Sequence, residues 1–193
     1  MLTLGEFLRR YEEMHEIYKA ELIEGIVHLP SPVRIDTHAE HDGIIHGWLF
    51  VYASEQGLKF YPNATLLLDS ENSCQPDSIL CSKPEKSGHV WLNKKGYLCG
   101  SPELVVEIAG STASIDLRDK LRVYRRNGVS EYVVWRTQDR EIDWFVLDDE
   151  GTYVKQTPAR HGKLHSRTFK GLALDVEAAL KLDGAKVLSA LKR

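Results

Sequence analysis

Pro102-Glu103-Leu104-Val105-Val106-Glu107-Ile108-Ala109-Gly110-Ser111-Thr112, then Ile115 to Asn127, Gly128 and Glu131-Tyr132-Val133-Val134-Trp135, reads as strand, helix, strand with short links. Both strand runs are almost continuously apolar, as strands covered on both faces are. The spacing therefore predicts a βαβ unit, with parallel strands joined by a right-handed crossover. Alternation along the first strand puts Leu104, Val106 and Ile108 on one face and Val105, Glu107 and Ala109 on the other. Glu107 thus points into or beside the core near the strand's carboxyl end, where ligands gather in open α/β sheets. A carboxylate leaves water only with a partner. Two readings stay open for Glu107, a structural ion pair and a ligand for a cation.

The helix that follows offers the partner. A regular α-helix turns about 100° per residue, so Leu117, Leu121 and Tyr124 form an apolar stripe with Lys120 beside it. Lys120 is the basic residue best placed to reach back toward Glu107, although a lysine there also fits a snorkelling surface role. Arg118, Arg122, Arg125 and Arg126 gather on the other flank, as a solvated face or a track for phosphates.

Outward from this unit, Thr3-Leu4-Gly5-Glu6 has capping-box spacing and predicts a helix to about Met14 or Tyr18. Glu21-Leu22-Ile23-Glu24-Gly25-Ile26-Val27-His28-Leu29 is a hairpin signal closed by Pro30-Ser31-Pro32. Apolar residues at helical spacing from Asp36 to Glu55 predict a helix capped by Gly57. Strands are expected at Lys59 to Tyr61, Thr65 to Asp69 and Asp77 to Cys81, then a polar surface excursion from Lys83 to Gly100. Ile142 to Leu147 and Thr152 to Gln156 flank the turn Asp148-Asp149-Glu150-Gly151. One or two short helices end the chain. Asp77, after Pro76, reads as a turn residue or as a second carboxylate near Glu107. Glu21 opens the hairpin. His38, His41 and His46 suit surface or capping roles, with His38 also a candidate substrate contact.

The 193 residues, 42% hydrophobic and 27% charged, suit one folded domain, 1–193, rather than a disordered chain. No apolar run approaches the roughly 20 residues that cross a bilayer. The opening residues lack the pattern of a secretory signal, and Cys74, Cys81 and Cys99 cannot all pair within the chain. A cytoplasmic protein with free thiols, rather than a zinc site, is expected. The formal charge of −3 argues against a structural DNA binder and leaves room for an enzyme with acidic metal ligands. No Gly-x-Ser-x-Gly elbow, Walker loop or dinucleotide fingerprint occurs.

Together, Glu21-Leu22-Ile23-Glu24-Gly25, Gln75-Pro76-Asp77, Gly96 through Ile108, Asp116-Leu117-Arg118-Asp119-Lys120-Leu121, Tyr124, Gly128-Val129 and Glu131-Tyr132 closely resemble the Uma2 family. Its members are small bacterial proteins assigned to the PD-(D/E)xK restriction-endonuclease-like superfamily. The resemblance runs from about Leu4 to Leu147. It implies an α/β (α+β) fold, a restriction-endonuclease-like core in which a central mixed sheet is flanked by helices. It also implies that Asp77 and Glu107 are the motif acids, that Glu21 supplements them, and that Lys120 supplies the lysine. The superfamily's usual lysine position holds Ala109, and Gly110-Ser111-Thr112 replaces the family's Ser-Pro-Ser-type turn.

The expectation is metal-dependent hydrolysis of phosphodiester bonds in nucleic acid, most directly DNA. Mg²⁺ or Mn²⁺ would sit on Asp77, Glu107 and Glu21, with Lys120 orienting water, stabilising charge, or acting as base if its pKa is depressed. His38, Arg118, Arg122 and Arg125 are candidate substrate contacts. Two competitors remain: a non-catalytic nucleic-acid or protein-binding module that retains the fold, and a hydrolase of small phosphoesters. A homodimer would suit duplex cleavage, though no residue pattern establishes one.

Overall fold

Thr3 caps the first helix, α1 (Leu4–Glu13), its hydroxyl accepting from the Glu6 amide at 3.3 Å. The computed structural model describes residues 1–16, 19–29, 33–83, 89–110, 112–159 and 161–191. The expected helix end at Tyr18, the Pro30-Ser31-Pro32 stop and Ser111 of the turn lie outside these residues. The hairpin is β1 (Glu21–Ile23) and β2 (Ile26–His28). Its two turn residues, Glu24 and Gly25, have φ of +50° and +75°, the left-handed pair whose twist matches a hairpin. A Cβ on Gly25 would lie 2.8 Å from that of Met1.

A π-helical turn, Ile35–Ala39, leads into α2 (Glu40–Gln56), and Gly57 closes it with φ +67°. Then follow β3 (Lys59–Pro62), β4 (Leu66–Asp69), β5 (Asn72–Cys74), β6 (Ser78–Cys81), β7 (Val90–Leu92), β8 (Leu98–Gly100) and β9 (Leu104–Ala109). The crossover is α3 (Ala113–Ile115), a second π-helical turn over Asp116–Lys120, and α4 (Leu121–Arg126). The rest comprises β10 (Glu131–Arg136), β11 (Glu141–Leu147), β12 (Tyr153–Lys155), β13 (Lys163–His165), β14 (Ala173–Asp175), α5 (Val176–Leu180) and α6 (Gly184–Ser189).

The described strands form two six-stranded mixed sheets and a small pair, β13 with β14. The first sheet runs β12-β11-β10-β9-β6-β3, and its central pair β9 and β10 is parallel, as the βαβ reading requires. The second runs β2-β1-β5-β4-β8-β7, with β4 and β8 parallel. The mixed α+β class stands, and a second large sheet adds to the central one expected. Residues Lys83 to Gly100 are not simply a surface excursion. Within that stretch β7 and β8 pair as a hairpin, and Val90, Leu98 and Cys99 are buried. No helix of the described residues is long and apolar enough to cross a membrane.

The two faces of β9 enter different cores. Leu104, Val106 and Ile108 pack with Val133, Trp135 and Trp144 against Ile45, Trp48 and Leu49 of α2 and the C-terminal helices. Val105 and Ala109 join Tyr132, Val134, Val123 and Tyr124, together with Ile23, Leu66, Cys74 and Leu98 of the second sheet. Glu107 lies on this second face, between the first sheet and the layer made by α4 and the second sheet.

Candidate active site

Lys120 is the centre of the buried charge. Its Nζ lies 2.9 Å from Glu107 Oε1, 3.0 Å from Glu21 Oε2 and 3.5 Å from Asp116 Oδ1, and the residue is 5% exposed. Three elements converge to make this contact: β9 carries Glu107, β1 carries Glu21, and the π-helical turn carries both Asp116 and Lys120. Each acid is also fixed from its own surroundings. The Gln75 amide donates to Glu21 Oε1 at 2.7 Å, the Thr112 hydroxyl to Asp116 Oδ2 at 2.7 Å, and the Tyr124 hydroxyl to Glu107 Oε1 at 3.0 Å.

The π turn explains why Lys120 is inside. A regular helix predicted the stripe Leu117, Leu121 and Tyr124 with Lys120 at its edge. The wider turn instead buries Asp116, Lys120 and Tyr124, while Leu117 and Leu121 are only partly covered. Expanded turns of this kind frequently mark functional sites. The π turn at Ile35–Ala39 is the other in the described chain, and it carries His38.

Asp77 reaches the same neighbourhood through strand register. Ser78 faces Val106 across β6 and β9, so one residue further Asp77 stands opposite Glu107. Its Oδ2 accepts from the Ile108 amide at 2.7 Å. His38 Nε2 lies 3.4 Å from the same oxygen, and Lys19 Nζ lies 3.7 Å from Oδ1. His38 is held at the carboxyl ends of β9 and β10 because the Thr137 hydroxyl donates to the Thr37 carbonyl at 2.8 Å. His46, one turn past Asp42 on α2, contacts Asp42 Oδ1 at 2.9 Å and the Asp77 carbonyl at 3.0 Å.

The electrostatics follow from these contacts. Burial drives the Glu107 carboxyl well above the usual carboxylate range. Lys120 opposes the rise, and Asp116, Asp77 and Glu21 add to it. Burial pulls Lys120 down, yet Glu107, Glu21 and Asp116 outweigh it and leave the ammonium well above its ordinary value. Asp116 is also raised, first by burial. All three shifts run toward holding protons, as expected where three carboxylates surround one ammonium. Burial also pushes Asp77 up, but His38, Lys19 and the Ile108 amide together hold it below its usual value. The hydrogen-bonding contact with Asp77 in turn raises His38.

This arrangement suits a hard divalent cation in donor chemistry and charge. All the acids offer oxygen, and three carboxyl groups surround the one ammonium of Lys120. Glu107 spends Oε1 on Lys120 and Tyr124, and among the described residues its Oε2 accepts no hydrogen bond. Among the described residues Asp77 Oδ1 meets only Lys19, beyond hydrogen-bonding distance. Among the described residues, no ready-made cage of three or more ligating side chains is present. The fit rests on these two open oxygens, not on a preformed shell.

Of the residues expected from sequence, Lys120 touches both Glu21 and Glu107, and Asp77 and His38 meet beside them. The arginines beyond Lys120 differ in their partners. Arg122 pairs with Glu24 and, at 3.1 Å, with Asp119, and Arg126 reaches Glu24 and Asp69. The two pairs with Glu24 fasten the hairpin that carries Glu21 to the helix that follows Lys120. Arg118 and Arg125 are exposed. Sequence reasoning missed Asp116, Lys19 and the inward role of His46. Asp116 had a signal in its place four residues before Lys120. Lys19 had only its two-residue spacing from Glu21.

The fold has a likeness among solved structures. A crystal structure described as a putative nuclease belonging to DUF820, from Anabaena variabilis ATCC 29413, matches 94% of this chain and 99% of its own, with TM-score 0.68 and 13% identity. At that identity the likeness is one of fold. The chain belongs to the Uma2 family, described as putative restriction endonucleases, whose sequence model matches residues 4–177. No curated protein matches the chain.

Proposed function

We propose that the chain hydrolyses phosphodiester bonds in DNA, using Mg²⁺ or Mn²⁺ held by Asp77 and Glu107 with support from Glu21. The observation that carries this reading is the pair of open oxygens, Asp77 Oδ1 and Glu107 Oε2, on opposed positions of neighbouring strands beside a buried lysine. Membership in a family described as putative restriction endonucleases supports the same chemistry. When bound, such an ion supplies a water of lowered pKa and neutralises charge developing on the phosphate.

The chain's own groups divide the remaining work. Glu107 holds Lys120 and Tyr124 with one oxygen and keeps the other for the cation. Three acids around Lys120 raise its pKa and outweigh the lowering by burial. That favours a role in orienting the attacking water and stabilising charge over a role as general base. Tyr124 and Asp116 keep Glu107 and Lys120 from drifting apart. His38 stands on the partly open side of Asp77, where a substrate oxygen can approach.

Supercoiled and single-stranded DNA, incubated with Mg²⁺, Mn²⁺ or a chelator, test the reading alongside Asp77→Asn. Metal-dependent cleavage by the wild type that the variant loses is the expected result. Equal cleavage by both proteins would sink it. A pure binding module would retain DNA without cutting it, and a small-phosphoester hydrolase would cut nucleotides and leave long DNA whole.

A further inference from the structure

Resting on the nuclease reading, we infer that Lys19 is a substrate-binding residue whose ammonium receives a phosphodiester oxygen beside Asp77. Lys120 is poorly placed for that task, because it is buried, donates to Glu107 and has Glu21 and Asp116 within 3.0 and 3.5 Å of its Nζ. Arg122 and Arg126 are engaged with Glu24, Asp119 and Asp69. Lys19 differs on each count. Its side chain is 29% exposed, and the contact to Asp77 Oδ1 is 3.7 Å, an ion pair too long to consume a donor.

The need for such a cation is electrostatic. A phosphodiester that reaches Asp77 and Glu107 brings negative charge to carboxylates, and a positive group at the solvent edge offsets that repulsion. Among the described residues, Lys19 and His38 are the side chains that both contact the Asp77 carboxylate and reach solvent. Lysine carries the permanent charge of the two and acts as a point cation for phosphate.

The test is DNA binding by wild type, Lys19→Gln and Lys19→Arg, with Ca²⁺ replacing Mg²⁺ to hold substrate uncut. Anisotropy of fluorescein-labelled duplex and single-stranded oligonucleotides is followed across salt, with thermal melting of each protein. One lost phosphate contact lowers the slope of log K against log salt by about 0.9 for duplex and about 0.7 for single strands. Lys19→Gln is expected to show that loss with an unchanged melting temperature, and Lys19→Arg to keep the wild-type slope. An unchanged slope in Lys19→Gln, while wild type binds, overturns the Lys19 assignment alone. Slope loss in a protein that never cleaves DNA upholds Lys19 and overturns the hydrolytic reading. Failure of wild type to bind either oligonucleotide overturns both.

Discussion

Lys120 brings one positive charge to Glu21, Glu107 and Asp116, and that imbalance governs the site at the scale of single residues. Removing one partner from a buried ion pair costs about 3–5 kcal/mol, because the remaining charge keeps its desolvation penalty. Lys120→Met is therefore expected to lower unfolding stability by about that amount. Urea denaturation in the presence of chelator measures it. A loss below about 1 kcal/mol would mean that the acids are solvated rather than confined, as in a surface pair. Glu107 itself was legible from period-two alternation, since a charge in a run buried on both faces stands out. Asp77 was not, because nothing local distinguishes a turn aspartate after Pro76 from one aligned with Glu107. Only the β6–β9 register separates the two.

The element that decides the geometry is the π-helical turn Asp116–Lys120. A sequence wheel at 3.6 residues per turn put Lys120 at the margin, and the extra residue in the turn carries it inward. Local patterns do not disclose such a turn, because tertiary contacts to Glu107 and Glu21 favour it. Deleting Arg118, which is exposed, is expected to restore a regular helix and rotate the residues around it by about 100° per residue removed. Cleavage should fall about 100-fold or more, the scale associated with a small misplacement of a catalytic group. Far-ultraviolet circular dichroism should stay near wild type. Full activity would show that Lys120's position does not depend on the turn. The strands β5, β7 and β8 were missed for a related reason. Each spans three residues, and Asn72-Ser73-Cys74 owes its burial to neighbours in the second sheet rather than to an apolar pattern.

At the scale of the molecule, the ends of the β9–β10 pair do different jobs. The carboxyl ends gather Glu107, Asp77 and His38, while Glu131 opens β10 at the other end. Glu131 is fully buried and accepts from Trp144 Nε1 at 2.6 Å, the Ser166 hydroxyl at 2.7 Å and the Arg167 and Thr168 amides at 2.9 and 2.7 Å. It thereby ties the C-terminal segment to the first sheet. Glu131→Gln sets an amide against these donors and is expected to cost about 3 kcal/mol, since each hydrogen bond to a charged group contributes about 1.5–3 kcal/mol. Urea unfolding checks the loss, and DNA cleavage per folded molecule should remain, because the residue is remote from Glu107. The central claim concerns the opposite end, where Asp77 and Glu107 are held to bind one divalent cation between them. Calorimetric titration of Mn²⁺ into wild type, Asp77→Asn and Glu107→Gln tests it most directly. The account predicts saturable binding by wild type that both substitutions abolish or weaken at least tenfold, about 1.4 kcal/mol. Absence of saturable binding, or equal affinity in all three proteins, would contradict it.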